Sequence, residues 1–165
     1  MSKKKKVTLM NKNVDKSKKL KKTIRSKSQQ CFANAWDAIE TLEEYKNATY
    51  VEGLAVLEGI MVIEHGWIEH EGEIIDPTLL EETMVYFPGL RFKGRDGLDS
   101  TWRIPGWRES GDKLPIFYRY GWGGINSPEF LQAKVDAYRF AGNNPAADAC
   151  ISHAKRNVIE LLKAG

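Results

Sequence analysis

The sequence predicts one α+β domain behind a basic tail, and three patterns support this prediction. Apolar residues recur at helical spacing directly after residue 28, and strand-like runs separated by glycine-containing breaks follow over residues 49–78. Two helical segments, each with a proline near its start, then close the chain. A chain of 165 residues can bury one hydrophobic core and is short for two. We therefore assign residues 1–27 to the tail and residues 28–165 to a single α+β domain.

The tail is strongly basic. Residues 1–30 hold 12 of the 25 lysine and arginine residues and one acidic residue, Asp15, whereas the rest of the chain has 13 basic and 21 acidic residues. The lysine-rich segment has few large apolar side chains, so it cannot bury enough surface to offset its ordering entropy. We expect residues 1–27 to be disordered. Residues 3–27 then either bind nucleic acid nonspecifically through its phosphates or serve as a solvated tail.

The composition also indicates the cellular compartment of the protein. The most apolar window, residues 53–63, is too short to cross a bilayer and is interrupted by Glu58. Two cysteines cannot form a disulfide scaffold, and free thiols suit a reducing environment. We expect an intracellular, cytoplasmic protein with no membrane partner. The small size and basic leader would fit a protein encoded by a phage or another mobile element.

The first helix of the domain carries one of the two cysteines. Ser28 is a good N-cap residue and would place Cys31 in the first turn, where unpaired N–H groups and the helix dipole favour a thiolate. Cys31 is therefore either a small core residue or a nucleophile. The apolar face of this helix follows spacings of three and four residues, at Phe32, Ala35, Trp36, Ile39 and Leu42.

Residues 49–78 predict a three-stranded antiparallel meander whose second turn decides the position of Asp76. If Glu71-Gly72 is a two-residue loop, Asp76 lies opposite Trp67 and diagonal to His65, within reach of a hydrogen bond to the imidazole. A three-residue loop would move Asp76 to the other sheet face, because side chains alternate with period two.

The first turn of the meander offers His65 a second carboxylate. If Glu58-Gly59 is also a two-residue loop, Glu52 lies directly opposite His65. We expect the face of His65 to pack on the Cys31 helix and so bring thiol and imidazole together. A cysteine, a histidine and an orienting carboxylate in this arrangement form an activated nucleophile.

These residues resemble a known family. Cys31 at a helix start, followed by "HGW" at 65–67 and "DPT" at 76–78, is similar to the transglutaminase-like core of the papain-like cysteine enzymes, over about residues 28–80. The resemblance implies a papain-like fold, with an N-terminal helix bearing the cysteine packed on an antiparallel β-meander and with C-terminal helices. It implies Cys31 as nucleophile, His65 as base and Asp76 as orienting acid.

The activity implied is acyl transfer, or hydrolysis of an amide or thioester by a peptidase or deamidase, through an acyl-cysteine intermediate. The partner would be a protein or peptide-like amide, and nothing in the pattern requires a metal or an organic cofactor. We assign Gln30 as a candidate oxyanion donor and Glu52 as the alternative orienting acid. Trp67 and Trp122 are candidates for the wall of a substrate groove. The competing hypothesis is a binding module that uses the basic arm.

Outside the meander the sequence is less specific. Residues 79–92 predict a further strand, and residues 93–126 predict loops around short strands that either cover the site or wrap the sheet. Ser127-Pro128 and Asn144-Pro145 each mark the start of a helix.

Overall fold

A computed structural model of the chain describes residues 10–81, 83–102 and 115–164, with side chains through residue 157 apart from that of Trp102. Over these ranges the fold is mixed α+β, as the sequence predicts. Its four strands form one antiparallel sheet in the order β3-β2-β1-β4. The strands are β1 (Thr49–Leu57), β2 (Met61–His70), β3 (Glu73–Ile75) and β4 (Val85–Lys93), and the α-helices are α1 (Val14–Thr23), α2 (Cys31–Thr41), α3 (Gly94–Trp102), α4 (Pro128–Phe140) and α5 (Asn144–Ala164).

The turn between β2 and β3 has the predicted two residues. Glu71 and Gly72 both have left-handed backbone conformations, with φ of 52° and 79°, as a type I′ hairpin turn requires. Ile68 consequently pairs with Ile75, and Asp76 follows directly at the end of β3. The predicted register of this hairpin is confirmed.

The turn between β1 and β2 is one residue longer than predicted. Leu57 pairs with Met61, so residues 58–60 form the loop. The register shifts by one position, and His65 lies opposite Gly53 instead of Glu52. Because the side-chain period of a strand is two, this single step moves Glu52 to the other face of the sheet. The prediction that Glu52 lies across from His65 is wrong.

Helix α2 packs on the sheet face opposite the predicted one. Its Trp36 ring lies 5.5 Å from that of Tyr50, whereas Trp67, on the face of His65, belongs to a separate apolar cluster. The start of the helix lies directly over Gly66, where an added Cβ would come within 3.0 Å of Phe32 Cα. A glycine at this position therefore allows the backbones of α2 and β2 to approach closely.

The helix also begins later than Ser28 predicts. Gln30 is the N-cap residue and Cys31 is the first helical residue. The Ser28 side chain is not the cap, although Cys31 remains in the first turn.

The described part of the basic segment is folded, which corrects the prediction of disorder for residues 10–27. Asn13 caps α1 by accepting a hydrogen bond from the N–H of Lys16, and Leu20 is buried in the main core. Residues 11–13 extend the sheet beyond β3 through a parallel bridge between Lys12 and Ile74. The segment thus has partners far along the chain, which local composition does not reveal. Residues 3–9 lie outside the described residues.

The C-terminal half combines confirmed and corrected predictions. The strand expected over residues 79–92 is β4, which pairs with β1, and Ser127 caps α4 as predicted. Residues 94–102, expected as loop and strand, form α3. Residues 116–120 and 122–124 are short 3₁₀ turns, and residues 103–114 lie outside the described residues.

The side chains that close the α2 face of the sheet come from both halves of the chain. The Phe117 ring stacks on Phe130 of α4 at 4.4 Å and lies 5.7 Å from Phe32 of α2. In the described ranges, no helix is long and apolar enough to span a bilayer.

Candidate active site

The closest polar contact in the predicted site joins His65 and Asp76. The Nε2 atom of His65 lies 2.7 Å from Oδ2 of Asp76, and both side chains are buried. The two-residue turn produces this contact by returning the chain so that the end of β3 lies beside β2. Since Asp76 occupies Nε2, that nitrogen carries the proton of a neutral imidazole and Nδ1 is left to accept one.

Asp76 is held by donors on both carboxylate oxygens. Its Oδ1 accepts hydrogen bonds from the backbone N–H groups of Thr78 (2.9 Å) and Leu79 (3.1 Å), the geometry of an Asx turn that the following proline supports. Its Oδ2 accepts from the Tyr86 hydroxyl at 2.8 Å, in addition to His65. The carboxylate is therefore held in one orientation by its own protein partners.

Cys31 reaches the imidazole at an open edge of the sheet. Strand β3 pairs with residues 68–70 of β2, so among the described residues no strand lies beside the edge of β2 at His65. Helix α2 begins at this edge, and Cys31 is a free, half-buried thiol close enough to act on His65 through a hydrogen bond and through charge. The sheet face of the helix body was mispredicted, yet the helix start still brings the thiol to the imidazole.

The electrostatics of the pair favour a protonated imidazole. Burial alone would lower the pKa of His65, but the charge and hydrogen bond of Asp76, together with Cys31, raise it to about 9. Burial would raise the pKa of Asp76, but the charge and hydrogen bond of His65 lower it overall. An imidazolium held in this way is the natural counter-ion for a thiolate.

A buried amide ties the two halves of the site together. Asn34, one turn into α2, donates hydrogen bonds from Nδ2 to the Lys27 carbonyl (2.7 Å) and to the Thr78 hydroxyl (2.9 Å). Thr78 belongs to the turn that holds Asp76. The helix carrying the thiol and the loop carrying the carboxylate are thus joined by one side chain.

Glu52 has a structural role on the other face of the sheet. Its carboxylate accepts hydrogen bonds from the Tyr50 hydroxyl (2.7 Å) and from the backbone N–H groups of Ile116 (2.7 Å) and Phe117 (2.8 Å). Burial raises its pKa to about 7 against the opposing effect of these three donors. It does not contact His65, which corrects its assignment as an alternative orienting acid.

The remaining predicted site residues are placed as follows. Trp67 is fully buried beside His65, with ring centroids 6.2 Å apart, so it supports the imidazole and cannot form a groove wall. Trp122 is 85% exposed and lies against His153 of α5. Gln30 is exposed at the helix start, immediately before Cys31, and its side chain makes no capping hydrogen bond.

Lys12, Asn34 and Tyr86 contribute to the site and were not predicted from the sequence, and the Ser17 hydroxyl likewise accepts a hydrogen bond from the N–H of Asp76 at 3.0 Å. Tyr86 lies on the strand predicted over residues 79–92, but its position against Asp76 depends on β4 joining the far edge of β1. Asn34 is polar on an otherwise apolar helix face, and this was an available signal. Lys12 has no local signal, because it resembles every other lysine of the basic segment.

Comparisons with known proteins do not identify a family for this chain. No protein-family model, curated protein or solved structure matches the chain. Among the described residues, no group of three or more histidine, cysteine, aspartate or glutamate side chains is arranged to hold a metal ion. The transglutaminase-like resemblance thus depends on Cys31, "HGW" and "DPT", and on the geometry that these residues adopt.

Proposed function

We propose that the protein is a papain-like, transglutaminase-like cysteine enzyme that transfers or hydrolyses acyl groups through an acyl-Cys31 intermediate. The observation that carries this proposal is the buried 2.7 Å contact between His65 and Asp76 beside the half-buried thiol at the start of α2. The substrate class is a protein or peptide-like amide, or a thioester.

The chemistry follows from the positions of the three groups. Nδ1 of His65 accepts the proton of Cys31, and the thiolate sulfur attacks the carbonyl carbon of the substrate. The N–H groups of the first turn of α2, which precede the first intrahelical hydrogen bond at Asn34, can stabilise the oxyanion. Gln30 is the candidate side-chain donor. The carbon–nitrogen or carbon–sulfur bond then breaks, and His65 returns its proton to the leaving group.

Release of the acyl group completes the cycle. A water molecule or an amine attacks the thioester carbonyl, His65 takes the proton of the attacking group, and the thiolate departs and is reprotonated. Water gives hydrolysis and an amine gives transfer. Asp76 keeps the imidazole in the tautomer that both half-reactions need.

The first test is the rate of iodoacetamide labelling of Cys31 between pH 5 and 10, with Cys150→Ser present throughout. A thiol with the ordinary pKa of about 8.5 is roughly 0.3% ionised at pH 6, so labelling at that pH reports a thiolate held by a counter-ion. We expect rapid labelling at pH 6. In His65→Ala the labelling rate at pH 6 should fall at least about tenfold, which corresponds to a shift of the labelling profile to higher pH by about one unit or more. Labelling that rises only near pH 8.5 and is unchanged in His65→Ala would contradict the proposal.

A substrate-side test uses p-nitrophenyl acetate and mass spectrometry. We expect an acetyl adduct on the Cys31 peptide that is absent in Cys31→Ser and reduced in Asp76→Asn. Acetylation of Cys150 to the same extent would mark the adduct as nonspecific.

A second candidate function has its own observation. A basic stripe, defined by Lys18 and Lys22 of α1 and by Arg25 just after it, is exposed and lines a surface depression. Within the described part of the chain no carboxylate pairs with these three residues, unlike Lys16 and Lys19, which pair with Glu73 and Glu44. We propose that this stripe can bind the phosphates of nucleic acid, either alone or alongside catalysis.

A further inference from the structure

Lys12 is placed beside the candidate site by the backbone of the N-terminal segment. The N–H of Asn13 donates to the Ile74 carbonyl (2.8 Å), and the N–H of Ile74 donates to the Asn11 carbonyl (2.9 Å). These bonds add residues 11–13 to the sheet alongside β3. Because Ile74 precedes Asp76 by two residues, Lys12 is held next to the strand that delivers the carboxylate.

The side chain of Lys12 is directed into the site and covered there. Its side chain is 5% exposed, and Nζ lies 4.0 Å from Oδ2 of Asp76. Nζ donates hydrogen bonds to the carbonyl oxygens of Leu79 (2.5 Å) and Glu81 (3.1 Å), and it lies 5.7 Å from the centre of the Tyr86 ring. Burial lowers the pKa of the Lys12 ammonium, and the charges of Asp76 and Glu81 oppose that effect. The two carbonyl oxygens and the carboxylate hold the ammonium group beside the site.

A cation at this position offsets the negative charge that Asp76 brings to the site. A thiolate at Cys31, an imidazolium at His65 and a carboxylate at Asp76 carry a net charge of −1. Placing an uncompensated charge among buried groups is costly. Lys12 brings the sum for the four side chains to zero when the thiolate is formed.

We propose that Lys12 is a positioning residue of the site, which holds Asp76 through charge and supplies the counter-charge that lets the Cys31 thiolate form. This inference rests on the proposed function, and it assigns the basic N-terminal segment a role inside the active site. The charged and titratable groups that face Lys12 are Asp76, Glu81 and the Tyr86 phenol.

The first experiment compares the pH profile of Cys31 labelling with Lys12 present and in Lys12→Met, using the 165-residue chain with Cys150→Ser in both cases. An opposite charge within about 4 to 6 Å shifts a pKa by about one to three units, and we expect the low end because Lys12 acts through Asp76. The labelling profile should move up by about one pH unit, giving about tenfold slower labelling at pH 6. An unchanged profile would overturn the proposal.

Two further variants separate charge from packing. Lys12→Gln removes the charge but keeps an N–H donor for the backbone carbonyls, and it should shift the profile as Lys12→Met does. Lys16→Met is the matched control, since Lys16 fastens the same segment to Glu73 at 2.8 Å. It should leave the profile in place. An equal shift in Lys16→Met would mean that only attachment of the segment matters, and would overturn the proposal.

The second experiment does not depend on a reactive thiol. In Cys31→Ala, the His65 imidazole is titrated by NMR with and without Lys12→Met, and His70 and His153 serve as internal references. Loss of a nearby positive charge should raise the His65 midpoint. If Lys12→Met instead disordered the site, the His65 midpoint would fall, because the imidazole would lose its contact with Asp76. A lowered or unchanged midpoint overturns the role of Lys12, whereas failure of the proposed function shows as slow wild-type labelling at pH 6.

Discussion

Glu52 is a carboxyl group buried within the sheet, where it holds the backbone N–H groups of Ile116 and Phe117. It positions Phe117, whose ring lies between those of Phe32 and Phe130. A residue that seemed suited to orient His65 therefore fastens the segment that closes over α2. Its carboxylate is costly to ionise there, because it is buried and its hydrogen bonds come from a hydroxyl and two backbone N–H groups, which are neutral donors.

The raised pKa of Glu52 predicts a stability that falls as pH rises. The neutral form is favoured in the folded state, so its stabilising effect is complete below the usual pKa of 4.5 and is lost as pH passes through about 7. At about 1.4 kcal/mol per pKa unit, the loss is about 3 kcal/mol. Urea unfolding should give a lower unfolding free energy at pH 8 than at pH 5. This fall should be smaller in Glu52→Gln than in the wild-type protein, and the difference should be about 3 kcal/mol. Equal falls in both proteins would refute the prediction.

Helix α2 and strand β2 form the element pair on which the candidate site depends. The backbone of α2 at Phe32 lies over Gly66, the residue between His65 and Trp67, and this contact sets how closely the thiol approaches the imidazole. The Asn34 amide donates hydrogen bonds to the Lys27 carbonyl and the Thr78 hydroxyl, and these bonds restrict sliding of the helix along its axis. Two short contacts thus hold the helix start in register with the strand.

Gly66→Ala should separate the elements. The added Cβ would lie 2.7 Å from Phe32 Cδ1 and 3.0 Å from Phe32 Cα, so α2 must move. We expect a loss of about 1 to 3 kcal/mol in unfolding free energy and slower labelling of Cys31 at pH 6. Leu98→Ala, a cavity variant in α3, is the matched control and should lose stability without slowing the labelling. Labelling slowed equally in both variants would mean that destabilisation alone explains the effect.

On the scale of the whole molecule, the basic segment divides into two parts. Lys12, Lys16 and Lys21 bind the domain itself, at Asp76, Glu73 and the Thr78 carbonyl respectively. The basic stripe of Lys18, Lys22 and Arg25 faces outward. The strong charge asymmetry of the sequence is therefore partly a feature of folding and partly a surface available to an anionic partner.

The stripe predicts salt-dependent binding of duplex DNA. Each phosphate contact adds about 0.9 to the slope of log affinity against log salt, so replacing all three stripe residues by alanine should reduce the slope by about 3. The control replaces Lys93, Lys155 and Arg156, which are exposed elsewhere and change the net charge equally. No binding by the wild-type protein at low salt, or equal slopes for both triple variants, would exclude this function.

The sequence alone determined the features that local chemistry encodes. Of the two loop lengths considered at Glu71-Gly72, the two-residue loop predicted the contact between His65 and Asp76, and the structure has that loop. Serine before proline predicted the start of α4, and a cysteine at a helix start predicted where the thiol would lie. In each case the residues that determine the local structure are close together in the sequence, so the pattern can be recognised from the sequence alone.

Tertiary structure decided the rest. Glu58-Gly59 resembles the other turn, yet it opens into a three-residue loop, and that one step moves Glu52 across the sheet. The lysine-rich segment folds because Leu20 is buried in the core and Lys12 pairs with Asp76. These outcomes depend on free energies gained between residues far apart in the chain, and a local pattern does not contain them.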